Sequence, residues 1–266
     1  ELRPGQQKAA CAVAFAAAPP YVGPMATVNL ADPCSSPRHS PGAPPPLALL
    51  GEARALAELA EFRRQRLALI AELPRWPTRS VLVIPGFLSG DWATAPLRGV
   101  LSALGHDVSG WKLGRNLGLR DGVFEKLEHL FVRRAAEGRR PLALIGWSLG
   151  GLYATELARR WPQLTQQLIT LGSPVSGHLT ANNVWRHYER IAGHPIDQPP
   201  VQWQPGATPQ VPFLAIQATG DGIVHPDAAR APTAPNVENV TVAGSHSGLR
   251  WNVAAIRLIA DRLARY

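Results

Sequence analysis

Cysteine is scarce: Cys11 and Cys34 are the only two among 266 residues. Such a pair excludes a disulfide-dense scaffold and a cysteine-rich zinc site. The H-E-x-x-H spacing of a catalytic metal is missing too, so no metal and no cofactor are expected. No run of roughly 18 consecutive apolar residues occurs, so no transmembrane helix is predicted. Charge is thin as well, at 17% of residues against the roughly 25% of ordinary domains. A chain 45% apolar and so weakly charged is not a disordered polyelectrolyte. Its length suits one large globular domain, or a domain with an appendage, with enough residues to bury a sizeable core.

Lysine is nearly missing. Lys8, Lys112 and Lys126 are the only lysines among 27 basic residues, and the net charge is +8. Arginine in place of lysine, with abundant Ala, Pro and Gly, fits a GC-rich coding sequence. A basic balance can signal nucleic acid or an anionic membrane. Here the arginines stand singly or in pairs, such as Arg63-Arg64, Arg139-Arg140 and Arg159-Arg160. No zinc-finger, RNP or basic-zipper pattern accompanies them. They read as solvated helix faces, and no nucleic-acid partner is expected.

Residues 1–46 differ from the rest. Prolines from Pro19 to Pro46 interrupt any regular element, which predicts an extended, mostly disordered arm without a catalytic motif. Lys8 followed by the apolar stretch Ala9 to Ala18 faintly resembles a secretory signal. Met25, the one methionine, is a competing candidate start of translation. The balance favours the cytoplasm, with secretion as the alternative.

From residue 47 the pattern is regular. Residues 47–77 read as a leading helix closed by Pro74 and Pro77. Residues 80–266 then alternate short apolar runs with helical stretches. Strands are predicted at 80–84, 107–111, 141–145, 167–172, 212–218 and 237–243. Helices are predicted at 94–104, from an Asp121 cap to 138, at 151–161 and at 249–264. Continuous apolar strands alternating with helices predict an α/β doubly wound fold around a parallel sheet. Residues 174–210, polar and proline-rich with one helix near 181–191, are too long for a simple connection. They read as an insertion near the mouth of a site.

The sharpest local signal is Gly146-Trp147-Ser148-Leu149-Gly150-Gly151, a G-x-S-x-G directly after a buried strand and before a helix. That context places Ser148 on a strained turn at the sheet's C-terminal edge, beside a helix N-terminus that favours negative charge. A serine hydroxyl needs a base, and the base an orienting acid. In this fold class they follow in the order serine, acid, histidine. Asp221 lies just past strand 212–218, and His246 just past strand 237–243, both on the edge that carries Ser148. Asp227 is the alternative acid, although its place after Pro226 suits a helix cap. His225 follows the same strand as Asp221, and His178, His187 and His194 lie in the insertion. Two backbone amides must hold the oxyanion. Leu149, just after the serine, and Phe87, in the loop Pro85 to Gly90, are the candidates, with Gly86 letting the loop turn. Leu88, Trp147, Val175, Leu179 and Trp185 are the candidate substrate-binding residues.

Over residues 80–266 these motifs resemble the α/β-hydrolase superfamily, and within it small bacterial lipases and esterases. The usual H-G of the oxyanion loop stands here as Pro85-Gly86-Phe87, and the histidine before the nucleophile as Trp147. Asp221-Gly222-Ile223-Val224 resembles the acid turn of such lipases, and Leu171-Gly172-Ser173-Pro174 the strand end after the nucleophile helix. The resemblance implies hydrolysis of a small-molecule or lipid carboxylic ester through an acyl-enzyme. An acyltransferase or thioesterase with the same three residues is the alternative, and a binding protein on a hydrolase scaffold a further one.

Overall fold

The computed structural model describes residues 41–265. The greater part of the predicted arm, with both cysteines, the signal-like stretch and Met25, lies outside the described residues. Strands β1 (Ser80–Ile84), β2 (Asp107–Gly110), β3 (Leu142–Trp147), β4 (Thr165–Leu171), β5 (Phe213–Ala218) and β6 (Val237–Val242) form one sheet in the order β2-β1-β3-β4-β5-β6. Every pairing is parallel. This is the predicted doubly wound fold.

Strands β1, β3 and β5 read as nearly unbroken apolar runs because both faces of the sheet are covered there, whereas the edge strands β2 and β6 are polar and partly exposed. Alternate residues face opposite layers, since side chains on a strand alternate. Val81, Val83, Ala143 and Ile145 pack with Phe62, Leu69, Leu97, Leu101 and Ile259. These come from α1 (Ala55–Glu72), α2 (Asp91–Ala103) and the C-terminal helix (Val253–Arg265). Leu82, Ile84, Leu142 and Leu144 pack on the other face with Phe124, Leu127, Phe131, Tyr153 and Leu157. These belong to α3 (Val123–Gly138) and α4 (Leu149–Arg160).

Helix starts differ from the sequence reading by a few residues at several places, most informatively at α3 and the leading helix. The N-cap of α3 is Gly122, in the left-handed region at φ 75°, and Asp121 stands outside it, exposed. The leading helix is in two parts: a 3₁₀ segment Pro46–Arg54, then α1. Between β4 and β5 the insertion carries α5 (Trp185–Ala192). Among the described residues no helix is long and apolar enough to cross a membrane.

The chain leaves β1 for the outer strand β2, then crosses back to β3 on the other side of β1. The loops after β1 and β3 therefore diverge at their C-terminal ends and leave a crevice, where open α/β sheets place their ligands. Those loops carry Phe87 and Ser148.

Candidate active site

Ser148 has φ 55° and ψ −124°, a sparsely populated conformation for a residue with a side chain. The surroundings enforce it. Its amide donates to the Leu171 carbonyl at 2.8 Å, and its own carbonyl accepts from Gly151. A Cβ at Gly150 would strike the Ile84 carbonyl of β1. The tight strand-to-helix turn is thus possible only with glycine there.

The Phe87 loop is shaped by a residue that local sequence reasoning missed. Asn116 is fully buried, and its Nδ2 donates to the Pro85 carbonyl at 2.8 Å. Its backbone exchanges two bonds of 2.7 Å with the loop, accepting from Leu88 and donating to Ser89. The left-handed residue of the turn is Leu88, at φ 60°, and Gly86 is not in that region. What Gly86 supplies is room: a Cβ there would lie 3.0 Å from that of Ser148. Neither the Phe87 nor the Leu149 amide donates to another described residue.

Asp221 and His246 follow β5 and β6, and both are buried. Asp221 Oδ1 accepts from the amides of Ile223 and Val224 at 2.9 and 2.8 Å. Its Oδ2 lies 2.7 Å from His246 Nδ1. An ionised carboxylate only accepts, so Nδ1 carries the proton and Nε2 is left as the acceptor. No hydrogen bond joins Ser148 to His246 among the described residues. The two are linked through β4: Ser148 bonds Leu171, and the next residue, Gly172, packs under the histidine. Gly172 has φ 57°, and a Cβ on it would lie 2.9 Å from His246 Nδ1 and 3.1 Å from Asp221 Oδ2. Gly172→Ala is therefore expected to cost about 1–3 kcal/mol, read from the denaturation midpoint. An unchanged midpoint would show that the turn relaxes freely.

The rival residues lie elsewhere. Asp227 is exposed, and the cap of its four-residue helix is the His225 side chain, which accepts from the Asp227 amide at 3.2 Å. The cap predicted at Asp227 is thus supplied two residues earlier. His194 contacts the Leu119 carbonyl and Tyr188, His187 is exposed, and His178 is half-buried in the insertion.

A cleft of about 370 Å³ of atom-free space, partly open to solvent, runs along Ser148. Phe87, Leu149 and Trp185 line it, as do Val184, Tyr188 and Ile196 of the insertion. Phe87 and Tyr188 pack against each other with tilted rings, their centres 5.5 Å apart. Burial pushes the Tyr188 phenol up to about 12, so it stays protonated. Its oxygen accepts from the Leu119 amide. Four of the candidate substrate-binding residues do not line this cleft. Val175 and Leu179 are packed in the core beneath it. Leu88 points outward and is 40% exposed. Trp147 lies on the opposite face, in register with Ala143 and Ile145, where its Nε1 donates to the His246 carbonyl at 3.1 Å. Among the described residues no cluster of His, Cys, Asp and Glu is placed to hold a metal ion.

Also unanticipated is a pair of carboxylates from the leading segment, Glu52 and Glu58, which reach the loops of Asp221 and His246.

No family model matches the chain. A pimeloyl-[acyl-carrier protein] methyl ester esterase of Aliivibrio fischeri is 32% identical over 115 residues, 43% of this chain and 41% of that protein. Its counterpart from a second strain matches to the same extent, so the chain spans about 41% of the length of these curated relatives. Lipase B of Aspergillus fumigatus superposes with a TM-score of 0.52 at 19% identity, over 73% of this chain and 55% of that one. The N-acyl homoserine lactonase AidH superposes with a TM-score of 0.52 at 15% identity, over 72% and 90% of the two chains. With its parallel sheet wound in this order and a strained serine at the end of β3, the chain is a protein of the α/β-hydrolase fold.

Proposed function

We propose that the protein hydrolyses small carboxylic esters by an acyl-enzyme route, with Ser148, His246 and Asp221 as its triad. The observation that carries this reading is the buried 2.7 Å contact between His246 and Asp221, on the sheet edge that also holds the strained serine. Esterase, lipase and lactonase relatives support it.

Ser148 attacks the ester carbonyl, and His246 Nε2 takes its proton. Asp221 holds the imidazole in the required tautomer and stabilises the imidazolium. The serine–histidine hydrogen bond forms as the substrate binds, since such bonds tighten on going to the complex. The Phe87 and Leu149 amides, free of other acceptors, hold the oxyanion. His246 returns the proton to the leaving alcohol, then activates the water that releases the acid.

The cleft selects the acyl group. It is narrow, well below the roughly 300–1,000 Å³ of drug-sized ligand pockets in the space it leaves for a ligand, and its walls are mostly apolar. Short unbranched acyl chains fit such a cleft better than long ones. A panel of p-nitrophenyl esters from acetate to palmitate on purified protein tests this, with the optimum expected at butyrate or hexanoate. Lack of turnover on every ester would overturn the reading. Trp185→Ala removes the largest side chain lining the cleft. It is expected to raise kcat/KM for octanoate relative to butyrate by at least about tenfold, since accommodating even one further methylene contributes about 1–3 kcal/mol. An unchanged ratio would place the acyl chain elsewhere.

A further inference from the structure

We infer that Glu52 is a positioning residue for the triad, a carboxylate that holds the acid loop and the histidine loop in register from a segment outside the catalytic core. The inference rests on the triad reading above. Glu52 Oε1 accepts from the Gly222 amide at 3.0 Å and from the His246 amide at 2.9 Å. Its Oε2 accepts from the Ser247 amide at 2.9 Å. One side chain thus grips the residue after the acid, the base itself and the residue after the base. The two loops leave neighbouring strands, and their separation sets whether Asp221 meets His246.

Glu58, further along the same segment, extends the grip. It accepts from the Ser245 amide at 3.0 Å and from the Ser245 hydroxyl at 2.6 Å. The residues before, at and after the imidazole are therefore all held by carboxylates of the leading segment.

The loops are moulded to this segment. A Cβ on Gly222 would strike the Ala48 carbonyl, and one on Gly248 would strike the Glu58 carboxylate. Burial works against ionisation of Glu52, but the amides of Ser247, Gly222 and His246, with the nearby imidazole, outweigh it and hold its carboxyl below the ordinary value. Glu52 is thus charged where it makes these bonds, and hydrogen bonds to a charged acceptor are about twice as strong as neutral ones. Arg250 completes the surroundings. Its guanidinium lies 4.2 Å from the centre of the Trp147 ring, and Trp147 in turn donates to the His246 carbonyl.

A segment that only stabilised the fold would not act selectively on turnover, whereas a misplaced base costs rate at unchanged affinity. A displacement of about 1 Å at a catalytic group can cost on the order of 10²-fold. The test uses the full chain as wild type, Glu52→Ala, Glu52→Gln and Leu69→Ala. Leu69 is a buried core residue of the same leading helix, remote in sequence from both loops. For Glu52→Ala, kcat on p-nitrophenyl butyrate is expected to fall about 10²-fold with KM within about twofold. Glu52→Gln keeps one accepting oxygen and should lose about tenfold. Leu69→Ala should lower the melting temperature at least as much as Glu52→Ala and keep kcat within about threefold. Full turnover in both Glu52 variants, or an equal loss in Leu69→Ala, overturns the inference.

A second readout is independent of any ester: the low-field proton resonance of the His246 imidazole N–H bonded to Asp221. It should persist in Leu69→Ala and shift or broaden in both Glu52 variants. If the wild type proves inactive on every ester, the triad reading fails and this resonance alone decides the role of Glu52. An unchanged resonance in Glu52→Gln refutes it.

Discussion

Replacing Ser148 with alanine is expected to lower ester turnover by about 10⁴–10⁶-fold and to leave the fold intact. The size of the effect follows from the chemistry. Without Oγ the acyl group has no covalent carrier, and only the two amides and substrate binding remain to accelerate attack by water. The fold survives because the turn is held by the backbone, through the Ser148–Leu171 and Gly151–Ser148 bonds, and by the close approach of Gly150 to β1. Alanine keeps all of these. Covalent labelling by a fluorophosphonate should vanish with turnover, and the melting temperature should stay within a few degrees. Substantial turnover by the pure variant would remove Ser148 from the mechanism.

Asp221→Asn is expected to reduce turnover by about 10²–10⁴-fold, because the amide selects the wrong imidazole tautomer. The hydrogen bonds of Asp221 make the argument specific. Two backbone donors, Ile223 and Val224, converge on Oδ1. In asparagine the atom that meets them must be the carbonyl oxygen, since an NH₂ there would face two donors. The NH₂ is then forced into the place of Oδ2, against His246 Nδ1. The imidazole responds by giving up the Nδ1 proton and carrying it on Nε2, where it can no longer accept from a serine. Asp227→Asn should change turnover by less than about twofold. Its side chain is 71% exposed and the helix cap belongs to His225, so stability should also stay within about 0.5 kcal/mol. Both variants measured at one pH on one ester decide the matter. A large loss at Asp227 with normal turnover in Asp221→Asn would move the acid to Asp227.

Much of this was legible without coordinates. Short apolar runs such as those of β1, β3 and β5, separated by helical periodicity, specify buried parallel strands, and the observed strands lie within a few residues of the predicted ones. The strained turn at Ser148 was legible because a G-x-S-x-G between strand and helix leaves one backbone solution. The positions of Asp221 and His246 were legible because a residue just past a parallel strand must emerge on the sheet's C-terminal edge. Even the orientation of Trp147 is a matter of counting. It shares the parity of Ala143 and Ile145, so it faces α1 and α2, away from the cleft.

Other features depend on how distant segments meet, which no local pattern carries. Glu52 lies 170 residues before Gly222 and 194 before His246. In sequence it is one more charge on a leading helix. Only the docking of that segment against the strand-end loops turns it into their common acceptor. Asn116 is likewise unremarked until β2 lies beside β1 and brings the chain after it under Pro85. Val175 and Leu179 are apolar residues of the insertion, as are Val184 and Ile196. Composition does not separate the two pairs, because the path of an irregular segment decides which side chains sink into the core and which line the cleft. Local patterns in the chain specify the sheet, the strained turn that carries Ser148 and the edge on which Asp221 and His246 stand. What holds those loops in register and which side chains line the cleft depend on the packing of the whole chain, since both follow from contacts between segments far apart in it.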